Sequence, residues 1–320
     1  MKHIILYGAG ERGRAIHGYL ESVGKSDVVY GFCDKRAREI GAVGRGGGEK
    51  PVWTLDELQS RSLDCLYCIT PNSEGMVREI MKELSGCEII TIPELLDMVG
   101  VDRVKYNRDF CAFAHMNDMD HYFQSAEESL DVFWKEESPF YRMFRQLDLT
   151  DVIELACGRG RHVPKYMGNA GRVTLVDILQ KNIDYCRERL KENSEIQYYK
   201  NDGYDLKELE SDTYTALFTY DAMVHFEMLD VSSYLNDIFR VLKGGGRALF
   251  HHSNNHSDYK ASFGTAVNGR SFMSKEVFAY LAYRAGFEIL EQQVIDWGTP
   301  SLDCITLVEK PGSGGKYAES

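Results

Sequence analysis

DVIELACGRGRHVPKYMGNAGRVTLVD, residues 151–177, reads as strand, glycine turn, helix, strand. Val152, Ile153 and Leu155 make a short apolar strand that runs into Gly158 and Gly160. A helix is expected over Arg161–Met167, with Gly171 ending it near its C-terminus. Val173, Leu175 and Val176 form a second strand that closes on Asp177. Glycines let a backbone approach a ligand closely, and an acid after the second strand accepts hydrogen bonds from ribose hydroxyls. The third glycine of a strict GxGxxG is missing, because the run is Cys157-Gly158-Arg159-Gly160-Arg161-His162. The stretch therefore suits a nucleoside better than a tightly held pyrophosphate.

Downstream, the βα rhythm continues. A helix is expected over Ile183–Glu192, then a strand over Gln197–Lys200 followed by Asn201-Asp202-Gly203. Tyr214–Tyr220 is the fourth strand, and Asp221-Ala222-Met223-Val224-His225-Phe226 follows it. A helix over Ser232–Leu242 ends in Lys243-Gly244-Gly245-Gly246, and Arg247–His252 is the fifth strand. Ser274–Ala285 is a helix stopped by Gly286, and Glu288–Asp296 and Cys304–Glu309 pair as the last strands. With Glu154 opening the glycine turn, this order of features resembles the class I S-adenosylmethionine (SAM) methyltransferases over residues 151–310. The resemblance implies SAM as cofactor, held by Glu154, Ala156, Gly158, Gly160, Asp177, Ile178, Asp202, Gly203 and Tyr220. It implies that Asp202 meets the adenine amine, that residues 221–226 take the methionine end, and that the final strand is antiparallel. The LKGGG turn carries glycine where the family has proline.

Methyl transfer to oxygen needs a base, and histidine suits that near neutral pH. His225 leads, because it follows the fourth strand; His252 is the second candidate. His251 and His252 end the fifth strand on opposite faces, so one of the two at most faces the site. Asn254, Asn255 and His256 extend that polar rim. No metal is expected. His115, Asp118, Asp120 and His121 read as a solvated loop rather than ligands.

Upstream, HIILYG is a buried parallel strand by composition and opens a true GxGxxG, Gly8-Ala9-Gly10-Glu11-Arg12-Gly13. A helix over Glu11–Val23 follows, then a strand over Val28–Cys33 ending at Asp34, 21 residues after Gly13. Strand before and helix after raise this fingerprint above an isolated match. Arg12 and Arg14 stand where they could neutralise phosphate. Thr54 with Glu57 reads as a capping box. Further strands are expected over Leu63–Thr70 and Glu88–Ile92, with a helix over Ser73–Leu84 between them. Asn72 follows the Leu63–Thr70 strand, where such sheets put ligands. Residues 2–95 resemble NAD-binding Rossmann domains and the nucleotide-sugar-binding N-terminal domains of bacterial sugar acyltransferases. The implied second site comprises Gly8, Gly10, Arg12, Gly13, Asp34 and Asn72, with either NAD(P) or a nucleotide-sugar as ligand.

Residues 98–150 lack the βα rhythm and carry helices over Ser125–Lys135 and Pro139–Leu147. Tyr122, Phe123, Trp134, Phe140 and Tyr141 there form either one wall of the active site or packing between domains. The formal charge of −12 over 320 residues opposes a long electrostatic grip on nucleic acid or an anionic membrane. No apolar run reaches membrane-spanning length, and the N-terminus is a strand rather than a signal peptide, which predicts a cytoplasmic protein with reduced cysteines. Cys65 and Cys68 form a CxxC inside a strand, where they point to opposite faces as core thiols.

The expectation is an α/β chain of two Rossmann-like domains with parallel or mostly parallel sheets, joined by a helical connector. Residues 1–97 bind a nucleotide, 98–150 connect and cover, 151–310 are the methyltransferase, and 311–320 are a disordered tail. The acceptor is a small molecule, with the hydroxyl of a sugar or nucleotide-linked sugar favoured; a homo-oligomer stays open. The rivals are an NAD-dependent oxidoreductase working at GAGERG, and a non-catalytic SAM or nucleotide sensor.

Overall fold

The apolar runs and glycine breaks fold into two compact α/β units, Met1–Phe113 and Ala114–Ser320. The computed structural model describes residues 2–44, 48–71, 73–117, 120–264 and 266–312, the side chains of 74, 117, 120–122 and 267 excepted. Asn72, Asp118, the side chains of Asp120, His121 and Tyr122, and residues 313–320 of the expected tail thus lie outside the described residues.

In the first unit, β1 (His3–Tyr7) runs into α1 (Glu11–Ser22) and then β2 (Val29–Cys33). There follow α2 (Ala37–Ile40), β3 (Ala42–Val43), β4 (Lys50–Trp53), α3 (Leu55–Ser60), β5 (Cys65–Ile69), α4 (Glu74–Glu83) and β6 (Glu88–Ile90). The sheet order is β3-β4-β2-β1-β5-β6, parallel except for the short β3–β4 pair. Thr54 forms the expected capping box with Glu57. A second box, Thr91 with Glu94, starts α5 (Ile92–Met98), so the β6 strand is shorter than expected. Helix α6 (Arg103–Asn117) is an element that the aromatic scatter of residues 98–117 concealed; its Tyr106 and Phe110 meet Tyr19 of α1 edge-on.

In the second unit, α7 (Asp120–Glu128), α8 (Leu130–Phe133) and α9 (Pro139–Phe144) precede β7 (Asp151–Leu155). The glycine turn leads to α10 (Val163–Tyr166), β8 (Arg172–Asp177), α11 (Gln180–Arg189), β9 (Ile196–Lys200), β10 (Tyr214–Thr219) and α12 (Met228–Val241). Then come β11 (Leu242–Ser253), α13 (Lys275–Ala285), β12 (Glu288–Ile295) and β13 (Asp303–Glu309). The sheet order is β12-β13-β11-β10-β7-β8-β9, with β13 antiparallel to both neighbours and the rest parallel.

Helix α10 is much shorter than the 161–167 expectation: Pro164 sits in its first turn, and a single 3-10 turn covers 167–169. The Lys243–Gly246 run is not a separate turn but the opening of β11, where Gly245 and Gly246 bond to Lys310 across the sheet. Gly286 caps α13 at φ 108, as its place in the sequence requires.

Strand alternation divides the core. Val152, Phe218 and Leu249 face α9–α11, while Ile153, Leu217 and Phe250 face α12 and α13. Among the described residues no helix is long and apolar enough to cross a membrane, and all eight cysteines are free thiols.

Candidate functional site

In the second sheet, β8 and β9 continue from β7 in one direction and β10 and β11 lie in the other. Parallel sheets bind ligands in the crevice outside the strand ends at such a reversal. The glycine turn borders it. Ala156, Gly158 and Gly160 have φ of 57, 55 and 70, so the turn runs through the left-handed region three times in five residues. For Ala156 this is strained, a feature that concentrates at ligand sites.

Beside the turn, Asp177 closes β8 with 5% exposure. Its Oδ2 accepts from Gly158 N at 2.9 Å, and its Oδ1 from Leu179 N at 2.8 Å and Asn182 Nδ2 at 3.0 Å. Burial lifts its carboxyl to about 6 against the pull of those three donors. Asn201 N bonds to Asp177 O, which brings Asn201-Asp202-Gly203 alongside. Asp202 itself is exposed and pairs with Lys207 and Lys200. Ile178 is half-buried, and Tyr220 is buried against Phe140 at 4.3 Å.

Glu154 is a buried carboxyl at 2% exposure. Tyr166 donates to its Oε2 at 2.7 Å, while Oε1 is buried without a hydrogen-bond partner among the described residues. Burial pushes this carboxyl up to about 8. A buried acid with half its acceptors unused, beside a glycine cradle and the Asp177 carboxylate, fits a ligand that brings donors and positive charge. A sulfonium-bearing nucleoside amino acid has both, so the residues present fit SAM.

At the C-terminal ends of β10 and β11, Asp221 stands at φ 54. Arg161 Nη2 reaches its Oδ2 at 3.2 Å, and Arg270 Nη2 lies 3.8 Å from its Oδ1. His225 closes the short 3-10 turn 223–225, and its Nδ1 donates to Gly269 O at 2.9 Å, which leaves the lone pair on Nε2. Burial first, then His115 and Arg270, depress its pKa to about 4.

The structure does not bring His252 to this edge. It is wholly buried on the α13 face, stacked on Phe278 at 3.8 Å, with Thr306 Oγ1 and Ser253 O on its two nitrogens. His251 faces the other way, toward Tyr220 at 4.6 Å. Asn254, Asn255 and His256 brace neighbouring backbone through Ser301 O, Arg270 O and Asn254 O. Phe123 approaches Gly158, Trp134 donates to His162, and Phe133 and Phe140 flank Tyr220, so this aromatic cover packs on the crevice itself. Arg161, Arg270, Asp303 and Trp297 also gather at this edge, and sequence reasoning missed them. Only Arg161 had a local signal, a charged residue directly after the second glycine of the turn. Among the described residues no group of three His, Cys, Asp or Glu side chains could hold a metal ion.

In the first unit the crevice lies where β1 parts β2 from β5. A Cβ on Gly13 would lie 1.9 Å from Gly8 O, whereas one on Gly10 meets nothing within 4 Å. Gly13 thus serves helix-to-strand packing, and Gly10 keeps space open. Asp34 accepts from Ala9 N at 2.9 Å and Arg36 N at 2.9 Å. Arg14 braces the turn through Ala9 O, while Arg12 Nε is buried without a hydrogen-bond partner among the described residues.

Several solved structures resemble parts of the chain. One is the [4+2]-cyclase SpnF, at 14% identity over 59% of this chain and 83% of that one, with a TM-score of 0.47. An S-adenosylmethionine-dependent methyltransferase from Mesorhizobium loti matches at 15% identity over 53% and 96%, TM-score 0.44. Geranyl diphosphate C-methyltransferase from Streptomyces coelicolor A3(2) matches at 13% over 53% and 76%, TM-score 0.45. Residues 152–246, from β7 into the opening of β11, match the family model described as a methyltransferase domain. The protein therefore carries a methyltransferase domain and is an enzyme, a SAM-dependent methyltransferase.

Proposed function

We propose that the enzyme methylates a hydroxyl of a sugar or nucleotide-linked sugar, with SAM held at the β7–β10 crevice and a nucleotide held by the first unit. SAM supplies an activated methyl group on a sulfonium, so the chain's own task is alignment, exclusion of water and proton removal. In this reading Ala156–Gly160 cradles the cofactor backbone-first, Asp177 takes the ribose hydroxyls, Asp202 the adenine amine, and Glu154 the cationic end. His225 Nε2 accepts the acceptor's proton.

Asp177 tests the cofactor half of the reading. Asp177→Ala should weaken S-adenosylhomocysteine binding by ~1.5–3 kcal/mol, the scale of hydrogen bonds to a charged group. Calorimetry measures it, and an unchanged affinity removes Asp177 from the ribose.

The sugar assignment rests on one observation: the first unit carries its own strand–GAGERG–helix–strand–Asp34 crevice in the same chain as a transferase. Because a Gly10 side chain would enter open space, Gly10→Val should leave the fold intact and block ligand approach alone. Thermal-shift titration with NAD, NADP and a set of nucleotide-sugars should show a hit that Gly10→Val abolishes while SAM binding persists. No shift with any of them in the wild type leaves the first unit without a nucleotide role. Methyl-labelled SAM incubated with nucleotide-sugars, free sugars and simple hydroxyl compounds identifies the acceptor, and label found only outside the sugars refutes the class.

A further inference from the structure

The edge of the second sheet holds a buried charged network that neither cofactor binding nor proton removal uses. Asp303 opens β13 with no exposure, opposite Ser253 of β11. Three donors converge on its carboxylate. Arg270 Nε lies 3.1 Å from Oδ1 and Arg270 Nη2 2.7 Å from Oδ2, while His251 Nε2 lies 3.0 Å from Oδ2.

The other nitrogen of His251 fixes the tautomer. Asp221 N, which can only donate, reaches His251 Nδ1 at 3.1 Å, so the ring proton is on Nε2 and points to Asp303. Arg270 also donates to Asn268 O at 3.0 Å and lies over Trp297 at 5.4 Å. Its far edge meets Asp221, which Arg161 holds from the glycine turn. Burial alone would raise the Asp303 carboxyl, but His251 and Arg270 outweigh it and hold it below the ordinary aspartate value.

Two routes thus run from one carboxylate to one residue. Through His251, Asp303 reaches the backbone of Asp221; through Arg270, it reaches the side chain. Asp221 is the residue held at φ 54, between Tyr220 and the turn that carries His225. A left-handed non-glycine residue persists only when its surroundings over-determine it. Buried ion pairs are a poor source of stability compared with apolar packing, so four charges tied to one strained turn point to geometry rather than to stability.

We propose that Asp303 is a positioning residue for methyl transfer, acting through His251 and Arg270 to lock the Asp221 turn at the edge where the methyl group is presented. The two histidine amides separate this role from general packing. His251→Asn keeps an acceptor where Nδ1 was, and so keeps the bond from Asp221 N. His251→Gln places its amide near Nε2 and loses that bond.

Two readouts need no acceptor: hydrogen exchange at the Asp221 amide, and the ratio of SAM to S-adenosylhomocysteine affinities, which differ only at the methyl-bearing sulfur. In His251→Gln, Asp221 exchange should rise about tenfold, as loss of one hydrogen bond implies, and the affinity ratio should move about fivefold. In His251→Asn, which keeps the bond from Asp221 N but gives up the one to Asp303, both should move the same way by about two- to threefold, less than in His251→Gln. Equal effects of the two amides, or unchanged Asp221 exchange in His251→Gln, overturn the proposal. If His251→Gln does not fold, Asp303→Asn carries the test. It retains an acceptor for His251 but cannot neutralise Arg270, so the affinity ratio must shift, and a wild-type ratio overturns the proposal.

Discussion

Replacing His225 with alanine is expected to lower turnover ~10²–10⁴-fold at pH 7, the usual yield of general-base catalysis, with SAM affinity nearly unchanged. The imidazole donates Nδ1–H to Gly269 O, so Nε2 carries the basic lone pair. From sequence alone the acid limb of the pH–rate profile belongs near the ordinary histidine value. The structure moves it, because burial, then His115 and Arg270, disfavour the imidazolium and lower the pKa to about 4. The sign follows. The base form is fully present across pH 5–8, and the rate falls only as pH drops through about 4. His225→Asn is the control for a purely structural histidine. Its amide nitrogen takes the place of Nδ1 and can still donate to Gly269 O, but it accepts no proton. If His225 is the base, the asparagine variant is as slow as alanine and the acid limb disappears. Near-wild-type turnover in His225→Asn, with the limb intact, would leave the turn pinned and the base elsewhere.

Glu154→Gln is expected to stabilise the ligand-free enzyme and to weaken cofactor binding. In the unfolded chain this carboxyl ionises near the ordinary glutamate value of about 4.5; in the fold, burial holds its proton to about 8. Between these values the folded state binds the extra proton, so stability falls as pH rises. At about 1.4 kcal/mol per pH unit the penalty reaches ~2–4 kcal/mol near pH 8. The glutamine variant escapes it. Its melting temperature should exceed wild type at pH 8, and the gap should close toward pH 5. Affinity for SAM should meanwhile fall about tenfold, because a neutral amide offers a cationic ligand less than a carboxylate does. A gap that does not vary with pH would mean that Glu154 ionises in the fold as it does in water.

How much of this was legible beforehand depends on the range of the interactions involved. The strand–turn–helix–strand of 151–177 is encoded within a few residues, by apolar runs, by glycines at positive φ and by a terminal acid. The Thr54–Glu57 capping box and the Gly286 stop are equally local, and both stand where the sequence puts them. The Thr91–Glu94 box was as local and was overlooked because Ile89, Ile90 and Ile92 read as one strand. Helix α6 lacked a clear apolar stripe, so its aromatics read as scatter until α1 gave them a partner.

The site divides along the same line. Glycine spacing and a strand-end acid marked Gly158, Gly160 and Asp177, because strand ends of a parallel sheet share one edge whatever the loops do. The fates of His251 and His252 followed from packing alone. Alternation said that they diverge, but only the placement of α13 put Phe278 on His252 and left His251 to Asp221 and Asp303. Arg270 and Asp303, 33 residues apart, carry no motif; they meet because antiparallel β13 inserts beside β11. The perturbed acidities of Glu154 and His225 are likewise invisible in the chain. They arise from desolvation and from neighbours distant in sequence, quantities that exist only once the fold has excluded water.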